Sequence, residues 1–176
     1  FGPLMPGFRV LPWGDLAALQ AAIGPETCAV MIEPIQGEGG IRPILDADLK
    51  AIRQLCNDTG ALLILDEVQC GMGRTGRLFA HEWAGITPDI MMVAKGIGGG
   101  FPLGAVLASE KAASGMVAGT HGSTYGGNPL ACAVGARVTE IITDPAFLAD
   151  VNRKSALFRQ KLEALIAAHP DLFEAV

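Results

Sequence analysis

Apolar residues in this chain gather into short runs, separated either by stretches with helical spacing or by breaks at glycine and proline. Cys28 to Glu33 is the first run, continuous in the way of a strand buried on both faces. It stops at Pro34 and opens into a loop, QGEGG, that holds Gln36 and Glu38. Leu62 to Leu65 predicts the next strand, ending at Asp66, and Ile90 to Val93 a third, which delivers Lys95 into a glycine-rich turn. Leu103 to Ala108 reads as a fourth strand whose small residues predict close packing. Between the strands, Asp15 is placed to cap a short helix that Gly24-Pro25 stops. Asp46 is likewise expected to cap a helix with Leu49, Ile52, Leu55 and Cys56 on one face, closed by Gly60. A further short helix is predicted around Phe79 to Trp83. Alternation of strand and helix implies right-handed crossovers and an α/β fold, a mostly parallel sheet with flanking helices.

Towards the C-terminus the pattern becomes helical. Asn128 followed by Pro129 marks a helix start, and Leu130, Val134, Val138 and Ile141 repeat at helical spacing. Asp144-Pro145 repeats the start signal, and Phe147, Val151, Phe158, Leu162 and Leu165 mark a second amphipathic helix. Lys and Arg cluster from Arg153 to Lys161, and no glycine follows Gly135. This shift predicts a boundary near Thr143, with residues 1–143 in one domain and 144–176 opening another. Phe1 to Gly14, with Pro3, Pro6 and Pro12, reads as loop.

Composition narrows the function classes. A chain of 176 residues, 50% hydrophobic and 18% charged, can bury a sizeable core, and disorder is not expected. Its net charge of −5 and lack of Lys/Arg runs argue against a nucleic-acid partner. Cys28, Cys56, Cys70 and Cys132 show no CxxC spacing, which predicts reduced, buried thiols and a cytosolic setting. His81, His121 and His169 stand far apart, so no metal cluster is expected. The nearly uncharged stretch Ile90 to Ala108 is broken by Lys95, several glycines and Pro102, which suits strand–loop–strand and not a membrane span. Neither a signal peptide nor a membrane partner is expected.

Two short motifs match chemistry they do not support. Gly71-Met72-Gly73-Arg74-Thr75-Gly76 satisfies GxGxxG, but polar or small residues separate it from the strand and no acid stands at the required distance downstream. It is read as a flexible loop. LLILDE resembles the acidic strand of a nucleotide hydrolase, yet the phosphate-cradling GxxxxGK[ST] is missing from this chain.

What remains is Asp66 and Lys95, each just past the end of a predicted strand. In an open parallel sheet such ends line the ligand crevice. A carboxylate opposite an amine suits pyridoxal phosphate, which needs a protein amine for its carbonyl and an acid that keeps its pyridine nitrogen protonated. Asp66 can hold that nitrogen through a charge-assisted hydrogen bond. Period-two geometry puts Val68 on the same side as Asp66, where its methyls can pack on the ring, and Gln69 can reach the phenolic oxygen. Lys95 must be partly neutral to attack, which an apolar, glycine-lined setting favours. Singly, a strand-end Asp serves as a cap or loop bracket and a Lys is solvated. Glu67 is read as a salt-bridge or loop residue, His121 as ordering its loop, and Trp13 and Trp83 as packing residues.

These residues lie within ordered motifs: EPIQGEGG (33–40), LDEVQCGMGRTG (65–76), PDIMMVAKGIGGGFPLGA (88–105) and GTHGSTYGGNPLA (119–131). Together they resemble class III aminotransferases, most of all the bacterial branch that acts on N-acetylornithine in arginine biosynthesis. The resemblance implies part of the large domain of an aspartate-aminotransferase-type (fold type I) enzyme, a homodimer with sites between subunits. It implies transfer of an amino group from N-acetylornithine to 2-oxoglutarate; ornithine, 4-aminobutyrate or succinyl-diaminopimelate are the alternatives within the family. On this likeness Lys95 carries the cofactor covalently and shuttles the proton. Asp66 meets the pyridine nitrogen, Val68 the ring face and Gln69 the phenolic oxygen, with Glu67 counted in the same cofactor-binding segment. Thr124 binds the cofactor phosphate across the dimer interface, Ser123 contacts substrate, and Glu38 pairs with a substrate-carboxylate arginine.

That likeness also places the family's first phosphate loop before Phe1 and the arginine partner of Glu38 after Val176. The competing readings are a nucleotide hydrolase and a non-catalytic interaction module, in which Asp66 and Lys95 are replaceable without loss. The 176-residue polypeptide alone is expected to show no transaminase turnover, and measurable turnover in a coupled glutamate assay would contradict that expectation.

Overall fold

The computed structural model describes residues 2, 3 and 5–173. Its elements are α1 (Leu16–Ala22), β1 (Ala29–Ile32), β2 (Ile35–Gln36), β3 (Arg42–Pro43), α2 (Asp46–Thr59), β4 (Leu62–Asp66), β5 (Ile90–Val93), β6 (Ala105–Ala108), α3 (Glu110–Ala113), α4 (Pro129–Ile142) and α5 (Pro145–Ala168). The main sheet runs β1-β4-β5-β6, with β2 and β3 forming a separate hairpin. β1, β4 and β5 are parallel and β6 is antiparallel to β5. The α/β, mostly parallel reading of the sequence therefore holds. Among the described residues no helix is long and apolar enough to cross a membrane.

The core forms where α1 and α2 cover one face of the sheet. Leu63 and Leu65 of β4 are fully buried against Leu49, Ile52 and Cys56 of α2, with Trp13, Leu16 and Leu19 packed around them. Each such leucine stabilises the fold by about 1.5–3 kcal/mol. Asp15 caps α1 by accepting a hydrogen bond from the Ala18 N–H (2.8 Å), and Gly60 closes α2 in the left-handed conformation at φ 78°. The cap expected at Asp46 is displaced by one residue. Leu45 holds the cap position without a side-chain bond, and Asp46 opens the first turn beside Asp48, where both charges favour the helix dipole.

Other expectations change once the sheet is seen whole. β1 is an edge strand with Met31 55% exposed, so it is not buried on both faces. All of β6 is exposed, because it forms the opposite edge and its small residues meet no covering layer. α4 buries Ala131, Gly135 and Ile142, whereas Leu130 and Ile141 stay exposed. The reason is close approach: a Cβ at Gly135 would lie 2.6 Å from the Leu103 side chain, so the small face turns inward. On α5 no residue is buried, and Phe147, Phe158 and Leu165 are exposed. Cys56 and Cys70 are buried as expected, but Cys28 and Cys132 are exposed.

Asp89 fastens the starts of β4 and β5 to each other and to α2. Its backbone N–H donates to the Leu63 carbonyl (2.9 Å) and its carbonyl accepts from Ser109 N–H (2.8 Å). The Leu63 N–H (2.8 Å) and the Arg53 guanidinium (2.7 Å) both donate to its Oδ2. Burial opposes ionisation of this carboxyl, but the Leu63 N–H and Arg53 outweigh it and hold it below the usual carboxylate range. Replacing Asp89 by Ala leaves the buried Leu63 N–H without its side-chain acceptor. The expected loss is about 2 kcal/mol in urea denaturation at neutral pH. A depressed carboxyl stabilises above its unfolded value, so the gap between wild type and variant shrinks as the pH falls below the ordinary carboxylate range.

Candidate active site

β4 and β5 run side by side in the same direction, with Asp66 paired to Met92. Their ends therefore open at one edge of the sheet. Beyond Met92 the chain passes Val93 and Ala94 and enters a 3-10 turn, Lys95–Gly98. Asp66 and Lys95 are thus brought to the same sheet edge on neighbouring strands, as the apolar runs predict.

Local geometry fixes the Asp66 carboxylate. Its Oδ1 accepts from the Val68 backbone N–H at 2.9 Å, and among the described residues Oδ2 makes no hydrogen bond. Val68 already lies in a turn, so the period-two argument for its direction does not apply; the strand ends at Asp66. Gln69 turns towards the β2–β3 hairpin and donates from Nε2 to Glu38 Oε1 (3.2 Å). The hairpin is shaped to admit it. A Cβ at Gly37 would stand 2.1 Å from the Gln69 amide oxygen, and the Gly37 N–H is held by Glu33 Oε2 at 3.0 Å.

Glu67 departs from the cofactor-binding segment in which it was counted. Its side chain is fully buried and points into the protein. Oε2 accepts from the Ala80 N–H (2.7 Å), and Oε1 accepts from the His81 N–H (2.9 Å) and His81 Nδ1 (2.7 Å). Both oxygens being occupied inside, the carboxylate acts as the loop bracket that the local sequence suggested. Nothing in the spacing of Glu67 and His81 announces this pairing. Cys70 packs beside it, its Sγ 3.9 Å from Glu67 Oε2.

The glycine loop that follows is packed against the protein. Gly71, Met72, Gly73 and Gly76 are buried. A Cβ at Gly73 would press on Ile142, and Asn152 of α5 donates to the Gly76 carbonyl at 2.9 Å. No α-helix opens within this loop, in keeping with its rejection as a dinucleotide site. Trp83 covers its outer side, donating to the Thr75 carbonyl (3.2 Å) with Arg77 stacked 4.3 Å over its ring. Trp13 packs on the core as expected.

Lys95 has positive φ (48°) and is exposed, so the apolar enclosure expected around it is not built by these residues. A hollow of about 220 Å³ lies elsewhere, lined by residues such as Pro34, Pro43, Leu49 and Trp83. Ser123 and Thr124 sit on an exposed loop, where Ser123 Oγ accepts from the Gly126 N–H (2.9 Å). Neither side chain bonds to Asp66, Gln69, Glu38 or Lys95. His121, on the same loop, makes no side-chain hydrogen bond among the described residues, so its expected ordering role is not seen.

Residues 11–176 match the model of the class-III aminotransferase family. The chain belongs to that family. An acetylornithine aminotransferase of Rhodobacter capsulatus is 69% identical over the whole chain, which covers 45% of that protein. Its counterpart in Mesorhizobium japonicum is 57% identical, with 44% of its length covered. Among solved structures, the N-acetylornithine aminotransferase of Stenotrophomonas maltophilia K279a is 42% identical, with a TM-score of 0.83 over 92% of this chain and 42% of that one. The ornithine aminotransferase of Toxoplasma gondii, described with partial occupancy of PLP at its active site, is 40% identical. Its TM-score is 0.88, over 93% of this chain and 39% of that one. The chain thus spans under half the length of these relatives. Membership of this family removes the nucleotide-hydrolase reading.

Beneath the site, burial and then the neighbouring Glu67 charge push the Cys70 thiol from 9.0 up to about 12. The folded chain therefore keeps a proton that the unfolded chain releases, and stability drains away as pH rises from 9.0 to about 12. Urea midpoints measured across that range should fall more steeply for the wild-type chain than for Cys70→Ala.

Proposed function

We propose that this chain forms part of a pyridoxal-phosphate enzyme that moves an amino group from N-acetylornithine to 2-oxoglutarate. The observation that carries the reading is the exit of Asp66 and Lys95 at one edge of neighbouring parallel strands. The donor set fits the cofactor: a carboxylate with one oxygen that has no partner among the described residues, a primary amide and an exposed primary amine stand along one edge. When bound, pyridoxal phosphate supplies an electron sink for the carbon that loses its proton.

The chain's own residues then divide the work. Asp66 Oδ2 would accept from the cofactor's pyridine nitrogen while Oδ1 keeps the Val68 N–H. Val68 would pack on the ring, Gln69 would hold the phenolic oxygen, and Lys95 would supply the amine that holds the cofactor and the group that moves the proton. Glu38, held at the hairpin tip by Gln69, would pair with an arginine that takes the substrate carboxylate. Ser123 contacts substrate and Thr124 takes the phosphate of the opposite subunit, which suits their exposed loop. Glu67 has no place in this set. We place the domain boundary near Thr143, and the enzyme as a cytosolic homodimer.

Acetylornithine is preferred to ornithine as donor because the acetylornithine aminotransferases reach 69% identity. Borohydride reduction of the full-length chain loaded with pyridoxal phosphate, followed by peptide mapping, should place a pyridoxyl group on Lys95. A folded chain without that adduct overturns the reading. A donor screen with N-acetylornithine and ornithine then settles the substrate.

A further inference from the structure

The buried Glu67 carboxylate has no part in the chemistry just assigned, yet it stands next to Asp66 and ties together every segment around it. Its backbone N–H donates to the Met92 carbonyl of β5 (2.9 Å), and its carbonyl accepts from the Gly71 N–H (2.9 Å). Its side chain takes the Ala80 and His81 N–H groups and His81 Nδ1. As an ionised carboxylate only accepts, Nδ1 is the nitrogen that carries the imidazole proton. His81 is itself held by stacking on Phe79, with ring centroids 5.7 Å apart and planes at 9°. Gly71 must be glycine here, since a Cβ would lie 2.8 Å from the Glu67 carbonyl oxygen.

A fully buried carboxylate carries a large desolvation cost, and an apolar side chain often holds a fold equally well. What an apolar side chain lacks is direction. The Asp66 carboxylate takes its orientation from the Val68 N–H, and the position of that N–H is set by residue 67. We propose that Glu67 is a positioning residue: through its bonds to Ala80 and His81 it fixes the chain from Asp66 to Gly71 and so aims Asp66 at the cofactor's pyridine nitrogen. This rests on the reading of Asp66 given above.

The test is a double-mutant cycle in the full-length chain, with Glu67→Gln, Asp66→Asn and the pair. Two quantities are read: the pyridoxal-phosphate Kd of the apoprotein, and its melting temperature without cofactor. Glu67→Gln keeps the side-chain shape but turns an NH₂ towards N–H donors. It should weaken cofactor binding by about tenfold. In the Asp66→Asn background, Glu67→Gln should change the Kd by less than about twofold, while its effect on melting stays the same in both backgrounds. Equal weakening of binding in both backgrounds overturns the proposal, because Glu67 then acts on the fold and not through Asp66. A lower melting temperature with unchanged Kd overturns it too. Should Glu67→Gln fail to fold, His81→Phe removes the imidazole donor alone and enters the same cycle with the same expected pattern. Unchanged binding in Asp66→Asn by itself is a different failure: it removes the assigned role of Asp66, whatever Glu67→Gln does.

Discussion

The parallel register of β4 and β5 is held from both ends, and the rest of the structure is arranged on it. At the start, Asp89 exchanges hydrogen bonds with Leu63 and recruits Arg53 of α2. At the finish, the Glu67 N–H continues the ladder onto Met92 after the side chains have turned to their separate tasks. A slip of one residue would send Leu63 and Leu65 out of the core and turn Asp66 to the other face. The apolar packing under α2 and the polar edge above it are therefore one constraint. Burial of two leucines on one face decides where a carboxylate appears beyond the strand.

Glycine carries that order outward. Gly37 admits the Gln69 amide, Gly71 accommodates the Glu67 carbonyl, and Gly96 lets the Lys95 turn settle on Met72. Gly76 and Gly73 bring the loop against α5 and Ile142, where Asn152 fastens it. Contacts thus run without a break from α5, through the glycine loop and Met72, to the turn that bears Lys95. The polar loop packs by backbone approach that no larger residue permits.

Much of this was legible in the chain. The strand ends at Asp66 and before Lys95 follow from uninterrupted apolar runs, and the caps at Asp15 and Asn128 follow from short-range hydrogen-bond chemistry. Burial of whole faces was not. A run such as Cys28 to Glu33 looks the same whether its strand is central or at an edge, because the neighbour that covers it is far off in sequence. In α4 the larger residues gave a shifted face: Val134 and Val138 are half-buried but Leu130 and Ile141 are exposed, since the closest packing is drawn by the absent side chain of Gly135. Glu67 was counted with the cofactor set because it adjoins Asp66. Only the fold shows a carboxylate turned inward towards the N–H groups of Ala80 and His81.

Lys95 adopts a backbone conformation, φ 48°, that glycine accepts freely and a lysine adopts at a cost of about 1–2 kcal/mol. On the proposed reading of Lys95, stability and chemistry pull in opposite directions at this position. A glycine here would relax the turn and remove the amine in one change, so a chain selected for heat resistance alone would drift towards losing it. Among the described residues that are not glycine, Ile41 and Met72 share the sign of φ, and Met72 packs directly on the turn. Two of these three strained positions, Lys95 and Met72, thus meet at one turn, and the packed loop beneath it keeps that turn from relaxing.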